Sequence, residues 1–502
     1  MEVQIVHGSI TDIECDVLIV NLFEGVTLPG GATGAVDRAL NGMISESIAL
    51  NETTGKLMEC TILHTLGKIA PKRVLVVGLG KSSDFNAVTV GKVAGAAARF
   101  ARAKGAKTIT TIVHGAGIGN LDARRAARAI VEGTMVGLYR SSLYKKSEDD
   151  NEIDTLTIVE FDESKIPAIE AGVQEGRILG RATNEARTLG NEPSNKMTPI
   201  DLAAKAKEMA DETGLEFEAL DESRIAELHM GGLLGVAQGS VQSPRLIVLR
   251  YKYAENKPTL ALLGKGITFD SGGISIKPSD AMQDMKFDMA GGAAVIQAMR
   301  AIAELKPAIN VIGVIPATEN MPSGSAYKPG DVIRFMNGKT SEITTTDAEG
   351  RVVLADAITY AIQQGANFIV DIATLTGGCV VALGHGYCGI MGNDRQFIKN
   401  LCSAAENAGE RVWELPLPAD YMHLLESNIA DFTNAGGRAA SAIQGGLFLQ
   451  EFAEGIPWIH MDIAGTSDIT HGNGPYEYKK FMDEGATGFG VRTLTMLAKL
   501  LG

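Results

Sequence analysis

Side chains that could together bind a metal ion occur in two short segments of the sequence, residues 264–292 and 345–351. Together these segments carry Lys265, Asp270, Asp288, Asp347 and Glu349. Carboxylates crowded at one place repel one another, and divalent cations remove that repulsion. Hard oxygen ligands suit Mn²⁺ or Mg²⁺, and Zn²⁺ accepts them too. None of the eight histidines lies in either segment, so a metal centre here would be dominated by carboxylates.

The same residues also have a purely structural interpretation. Carboxylates that precede helices are ordinary N-caps and favourable partners of the helix dipole. Asp347 and Glu349 taken alone fit that description, and the glycines after Asp270 taken alone indicate tight turns. Residue type and spacing therefore leave a metal site and a set of helix caps both open.

The elements predicted around these residues would bring them to one edge of a sheet. A fully buried strand is predicted at Thr259–Gly264, directly before Lys265. Helices are predicted at Ala290–Leu305 and 351–364, each preceded by carboxylates of the set. In open α/β sheets, ligand sites lie beyond the carboxyl ends of the strands. The five charged groups can therefore meet at that edge.

Short apolar runs alternate with helical patterns along the chain, which predicts an α/β protein. The 502 residues are too many for one hydrophobic core, so two or three domains are expected. An α/β domain is predicted at 1–165, a connecting helix at 166–190 and a second α/β domain with a mixed central sheet at 191–502. Strands are predicted at 3–7, 16–20, 73–78, 108–114, 156–160, 246–251, 259–264, 309–316, 368–374 and 458–463.

Composition excludes several classes of function. The net charge of −14 disfavours non-specific binding to nucleic acid or to an anionic membrane, and no apolar run reaches membrane-spanning length. Five cysteines without a CxxC pair argue against a disulfide framework or a zinc knuckle. The first residues lack the basic and apolar regions of a signal peptide, so the expected location is the cytoplasm.

Five motifs resemble those of the leucyl aminopeptidases, peptidase family M17. They are NEPSN at 191–195, GKGITFDSGG at 264–273, ENMPSG at 319–324, TDAEGR at 346–351 and DIATLTG at 371–377. The resemblance covers roughly residues 185–500, and the order and spacing of the motifs agree with the family. The family's fold implies that residues 191–502 are the catalytic domain.

The resemblance implies two divalent ions, Mn²⁺ or Zn²⁺, in each subunit. One would be bound by Lys265, Asp270, Asp288 and Glu349, and the other by Asp270, Asp347 and Glu349, with the Asp347 carbonyl contributing. A lysine ligand must be neutral, and both burial and an adjacent dication lower its pKa.

The resemblance also implies a mechanism for removing an N-terminal residue, preferably a Leu-like one, from peptides. A water between the metals is the nucleophile, and the free α-amino group of the substrate binds a metal. Lys277 polarises the scissile carbonyl, and a bicarbonate ion on Arg351 shuttles the proton to the leaving amine. Similarity assigns the pocket for the first side chain to Met285, Thr374, Gly377 and Ala464. The family assembles as a homohexamer, a dimer of trimers.

The sequence departs from the family at a few positions. The family usually has Asn where this chain has Thr345 and Leu where it has Val352, and neither side chain is a metal ligand. Residues 464–467 differ from the more apolar version common in the family. That difference puts the side-chain preference of the pocket in doubt.

Residues 8–11 and 28–37 resemble a macro domain, a module that can bind ADP-ribose. In the M17 family a related N-terminal domain serves mainly in assembly, which is the role expected here. The alternative is an ADP-ribose-type binding module fused to an inactive peptidase-like domain. Residues 115–119 lack the third glycine of GxGxxG, so no dinucleotide site is expected there.

Overall fold

A computed structural model of the chain describes residues 1–115, 121–141, 144–145, 151–470 and 481–502. It divides into two compact units, the first of Met1–Asn184 with Glu477–Asp483 and the second of Glu185–Tyr476 with Glu484–Gly502. The division falls inside a long helix, α5 (Ile166–Asn191). The three-part division at residues 165 and 190 stays a prediction. Of the glycine motif at 115–119, only Gly115 lies within the described residues.

The first unit is built on a six-stranded sheet within the residues that the structure describes. Its strands are β1 (Glu2–His7), β2 (Val17–Leu22), β3 (Cys60–His64), β4 (Arg73–Gly78), β5 (Thr108–Ile112) and β6 (Thr155–Glu160). Its helices besides α5 are α1 (Gly31–Ala39), α2 (Met43–Ala49), α3 (Ala87–Ala103) and α4 (Ala123–Leu138). The strand order is β1-β6-β5-β2-β4-β3, and β3 alone among these strands is antiparallel to its neighbour.

Both faces of this sheet are covered. Along β2, Val17 and Ile19 pack into one apolar cluster with α3 and α4, while Leu18 and Val20 pack into another with α1 and α2. A strand that is buried on both faces has a nearly continuous run of apolar residues in its sequence. Such a run is why the sequence predicts a strand at β2. The edge strand β3 was not predicted, because it is only half-buried and lacks that run.

The second unit continues from α5 with nine further helices and fourteen strands among its described residues. The helices are α6 (Pro199–Thr213), α7 (Glu222–Glu227), α8 (Gly231–Ala237), α9 (Ala290–Leu305), α10 (Glu349–Gln363), α11 (Gly377–Leu383), α12 (Arg395–Ala408), α13 (Ser441–Gln450) and α14 (Val491–Leu501). The strands are β7 (Glu216–Leu220), β8 (Arg245–Tyr251), β9 (Thr259–Gly264), β10 (Gly266–Asp270), β11 (Asn310–Asn320), β12 (Val332–Arg334), β13 (Thr340–Glu342), β14 (Phe368–Ala373), β15 (Cys388–Gly392), β16 (Val412–Glu414), β17 (Phe432–Thr433), β18 (Trp458–Asp462), β19 (Asp468–Ile469) and β20 (Gly485–Ala486).

The main sheet of this unit is mixed, as the sequence predicted. Its order is β16-β15-β18-β14-β9-β11-β8-β7, and β10 pairs with β11. Strands β9, β10, β11, β14 and β18 run parallel to one another, whereas β8 is antiparallel to β11 and β15 is antiparallel to β18. The parallel strands at the centre bring their carboxyl ends to one edge. No helix among the described residues is long and apolar enough to cross a membrane.

Strand register decides which residues meet at that edge. The last residue of β10, Asp270, lies opposite Asn320, the last residue of β11. On the other side, Gly264 at the end of β9 lies opposite Ile372 of β14. Lys265 is the single residue between the end of β9 and the start of β10.

Candidate metal centre

Lys265 lies at the centre of the predicted metal site. Its backbone N–H donates to the Ile372 carbonyl at 3.1 Å, which fixes its position between the strands. Its Nζ is 2.8 Å from Asp288 Oδ2 and 2.7 Å from Glu349 Oε1, and it donates to the Thr374 carbonyl at 3.0 Å. The side chain is 3% exposed. Two predicted ligands from different helices therefore meet at one buried amine.

Helix α10 approaches Lys265 closely because its second residue is glycine. A Cβ built on Gly350 would lie 2.9 Å from Cδ, Cε and Nζ of Lys265. Glu349 is the first residue of α10, so its carboxylate lies at the helix N-terminus, where negative charge is favourable. Asp288 lies in a 3₁₀ segment, Met282–Met289, that leads directly into α9.

Lys277 contacts the two remaining aspartates of the set, Asp270 and Asp347, in a similar way. Its Nζ is 2.7 Å from Asp270 Oδ2 and donates to Asp347 Oδ1. Burial acts to lower the pKa of both Lys265 and Lys277, but the neighbouring carboxylates outweigh it, and the pKa of each lies above its ordinary value. Each ammonium group thus bridges a pair of carboxylates.

The carboxylates fit a metal centre. One oxygen each of Asp270, Asp347 and Glu349 lies within 4.8 Å of the others. Burial raises the pKa of Asp288 to about 7 and that of Asp347 to about 6, because anions crowded away from water are unfavourable. Divalent cations among these hard oxygen donors would neutralise the charge.

Arg351 lies on the first turn of α10, two residues after Glu349. Its guanidinium is buried and donates through Nη1 to the Asn434 carbonyl at 2.8 Å. Its Nε has no hydrogen-bond partner among the described residues. Burial lowers the pKa of Arg351 to about 10, against the opposing effect of Glu349 and Asp462. The guanidinium is thus buried and lies within electrostatic range of Glu349 and Asp462.

Three of the four predicted pocket residues come together around the loop after β14. Asp462 Oδ1 accepts from the backbone N–H groups of Leu375 at 3.2 Å and Ala464 at 3.2 Å, which joins the segment carrying Thr374 and Gly377 to the segment carrying Ala464. Gly377 has open space at its Cβ position. Gly377 is exposed at the surface of this loop.

Met285, the fourth predicted pocket residue, lies on the 3₁₀ segment Met282–Met289 and not on this loop. It lies three residues before Asp288 on the 3₁₀ segment and is half-buried. The hydroxyl of Thr374 donates to Asp288 Oδ1 at 2.6 Å. A pocket role for Met285 stays a prediction.

Sequence reasoning missed residues that support the predicted ligands. Asn320 donates to Asp270, and the hydroxyl of Tyr327 donates to the Thr346 carbonyl at 2.8 Å. Asp462, a buried carboxylate at the end of β18, was also missed. For Asn320 and Asp462, the signal available in the sequence was a polar residue at the end of an apolar strand. Such a signal indicates where the residue lies, but not which residue it contacts.

Carboxylates at the carboxyl edge of an α/β sheet lie where such folds bind ligands, and they suit hard divalent ions. Residues 184–495 match the catalytic domain of the cytosol aminopeptidase family, and residues 19–148 match its N-terminal domain. A probable cytosol aminopeptidase of Solibacter usitatus is 46% identical over 500 residues, 99% of each chain. One of Alkaliphilus metalliredigens is 42% identical over 503 residues, again 99% of each.

Solved structures of two other proteins are also similar to this chain. A mutant of tomato leucine aminopeptidase is similar with a TM-score of 0.88 and 30% identity, covering 99% of this chain and 96% of that chain. The bottromycin maturation enzyme BotP in complex with Mn is similar with a TM-score of 0.84 and 34% identity, covering 97% of this chain and 99% of that chain. Fold, site and relatives together define an aminopeptidase, a hydrolase of the metalloprotease class. The chain belongs to the cytosol aminopeptidase family.

Proposed function

We propose that this aminopeptidase uses two divalent ions in each chain, Mn²⁺ or Zn²⁺, to release N-terminal residues from peptides. The observation that carries the proposal is the pair of ammonium groups that each bridge two carboxylates, one at Lys265 and one at Lys277. Two positions of concentrated negative charge in one cluster suit two cations. The BotP complex contains Mn, which supports manganese as one choice.

The proposed ligands are those that the family resemblance implies, and the grouping of Asp270, Asp347 and Glu349 supports the second set. Lys265, after losing its proton, would hold one ion together with Asp270, Asp288 and Glu349. Asp270, Asp347 and Glu349 would hold the other. When bound, the ions supply Lewis acidity and lower the pKa of a water molecule, which provides the nucleophile near neutral pH. The chain's own groups orient the peptide around that centre.

Lys277 would donate to the scissile carbonyl oxygen and stabilise the negative charge that develops there. It suits this task because it is 21% exposed, whereas Lys265 is 3% exposed, so a substrate atom can reach its ammonium group. Donors aimed at a developing oxyanion contribute strongly when the site excludes water. Arg351 would hold a bicarbonate ion, which when bound supplies a group that accepts and returns a proton.

The substrate would be a peptide with a free N-terminus and a Leu-like first residue. Met285, Thr374, Gly377 and Ala464 would line the pocket for the first side chain. The similar tomato protein is named a leucine aminopeptidase, which supports this choice of first residue. The free α-amino group would coordinate a metal, which restricts cleavage to the first peptide bond.

The deciding experiment is a panel of aminoacyl-p-nitroanilides tested on metal-stripped protein. We expect no hydrolysis without metal, and restored hydrolysis of the leucyl substrate after adding Mn²⁺ or Zn²⁺, with Co²⁺ and Mg²⁺ as comparisons. Full activity in metal-stripped protein would contradict the proposal. No hydrolysis with any metal, together with tight ADP-ribose binding, would favour the binding module with an inactive peptidase-like domain.

We further propose that the chain works in the cytoplasm as a homohexamer, a dimer of trimers, in which the N-terminal unit serves assembly. The full-length similarity to cytosol aminopeptidases supports the cytoplasmic location, and the hexamer and the assembly role are what the family resemblance implies. Light scattering coupled to size-exclusion chromatography tests it, with about six times the 53.0 kDa chain mass expected. A monomer mass would contradict it.

A further inference from the structure

Asn320 lies against the metal centre without being one of its proposed ligands. It is the last residue of β11 and is fully buried. Its Nδ2 donates to Asp270 Oδ1 at 2.8 Å and to the Thr346 carbonyl at 2.9 Å, and it lies 3.4 Å from Glu349 Oε2. One amide group thus contacts both carboxylates that are proposed to be shared by the two ions, and also the residue before Asp347.

The orientation of this amide follows from its partners. All three groups around Nδ2 are acceptors, so rotating the amide by 180° would direct an oxygen at three oxygens. The Oδ1 atom has no hydrogen-bond partner among the described residues and faces Gly273, where an added Cβ would lie 2.7 Å away. Gly273 has φ +67°, so both its backbone conformation and this close approach favour glycine.

In both Asp270 and Glu349, one carboxylate oxygen faces the Asn320 amide and the other faces a lysine. Asp270 Oδ1 accepts from Asn320 and from the Gly272 backbone N–H at 2.8 Å, which leaves Oδ2 to face Lys277 at 2.7 Å. Glu349 likewise has Oε2 toward Asn320 and Oε1 toward Lys265. Because the Asn320 amide is a neutral donor, it can hold both carboxylates in place without competing with a metal cation for their negative charge.

We infer that Asn320 is a positioning residue that orients Asp270 and Glu349 for metal binding and, through the Thr346 carbonyl, the neighbouring Asp347. This inference rests on the proposed two-metal function. Groups that orient metal ligands typically change metal affinity or activity by 10–100-fold when they are removed. The expected effect of losing the Asn320 amide is therefore at least about tenfold weaker metal binding.

The test is calorimetric titration of MnCl₂ into metal-stripped full-length protein, beside kinetics at saturating Mn²⁺. Asn320→Leu keeps the shape of the side chain and removes its donors. The matched control is Asn310→Leu, the same substitution at the opposite end of β11, where the side chain bonds only to the loop at residues 253–257. Asn320→Ser, a smaller change, serves if the leucine variant does not fold.

Weaker Mn²⁺ binding and lower kcat in Asn320→Leu or Asn320→Ser, with wild-type affinity in Asn310→Leu, support the inference. Wild-type affinity in a folded Asn320 variant, or equal weakening in Asn310→Leu, overturns it. A purely structural role would lower thermal stability without changing the affinity of the folded fraction. If the wild-type protein itself binds no Mn²⁺ and hydrolyses nothing, the proposed function has failed, and that outcome differs from failure of the inference.

Discussion

Thr374 and Asp288 are joined by a 2.6 Å hydrogen bond from the threonine hydroxyl to Oδ1 of the aspartate. The first residue is a proposed wall of the substrate pocket, and the second is a proposed metal ligand. The bond runs from the loop after β14 to the 3₁₀ segment before α9, so the proposed pocket and the proposed metal site share one contact.

Substitutions at Thr374 should separate these two roles. Thr374→Val keeps the shape but removes the donor, so we expect roughly tenfold weaker metal binding, as for the loss of a group that orients a ligand. Thr374→Ser keeps the donor and removes a methyl group, so it should change substrate preference and leave metal affinity unaltered. Mn²⁺ titration and kcat/KM for leucyl and alanyl p-nitroanilides measure both. Equal metal affinity in the Val variant would show that the bond does not hold Asp288.

The two lysines should respond differently to removal. Lys265→Ala should lose one bound metal ion, because a ligand is gone. Lys277→Ala should keep both ions and lower kcat on the order of a hundredfold, as for loss of one oxyanion donor. Calorimetric stoichiometry beside steady-state kinetics measures both effects.

Arginine substitutions provide the control for charge. Arginine does not deprotonate in proteins, and its planar group differs in shape from an ammonium, so neither Lys265→Arg nor Lys277→Arg should restore full activity. If Lys277→Ala loses a metal while Lys265→Ala keeps both, the two roles have been assigned wrongly.

Blocking the substrate's amino group should abolish hydrolysis. The free amine is proposed to bind a metal, and acetylation removes its lone pair from coordination. We expect no detectable turnover of N-acetyl-leucyl p-nitroanilide under conditions where leucyl p-nitroanilide is hydrolysed rapidly. Comparable rates for the two compounds would indicate an endopeptidase or an esterase.

Asp356 should be important for stability rather than for chemistry. This fully buried carboxylate of α10 accepts from the backbone N–H groups of Gly232 at 2.7 Å, Leu233 at 3.1 Å and Met336 at 2.9 Å. Asp356→Ala leaves two buried donors and one part-buried donor without this partner, at a cost of about 1–3 kcal/mol for each buried donor before relaxation. Asp356→Asn should also destabilise, because an amide N–H₂ would face an N–H donor.

Scanning calorimetry is the suitable measurement for Asp356, since a chain with two compact units does not guarantee a single two-state transition. We expect Asp356→Ala to lower the Tm by roughly 5 °C or more, given the usual dependence of Tm on free energy. The control is Asp221→Ala, which removes an exposed N-cap of α7 and should cost about 1 kcal/mol. Similar shifts in the two variants would show that the buried contacts of Asp356 contribute little.

The sequence by itself determined the α/β class, the strands buried on both faces and the two segments that carry the carboxylates. These features depend on local periodicity and on motifs of a few residues, which the chain displays without any partner. The resemblance to leucyl aminopeptidases added the expected ligands. Short or half-exposed elements such as β3 escaped prediction because their periodicity is weak.

Only the tertiary structure decided which lysine faces which carboxylates and that Asn320 reaches them. Asn320 lies 50 residues from Asp270 and 29 from Glu349 along the chain. The parallel pairing of β10 with β11 sets the first of these contacts. Strand register depends on the packing of the whole sheet, and a one-residue slip would turn Asn320 to the opposite face. A contact of that kind has no local sequence signal, so it became visible only in the folded chain.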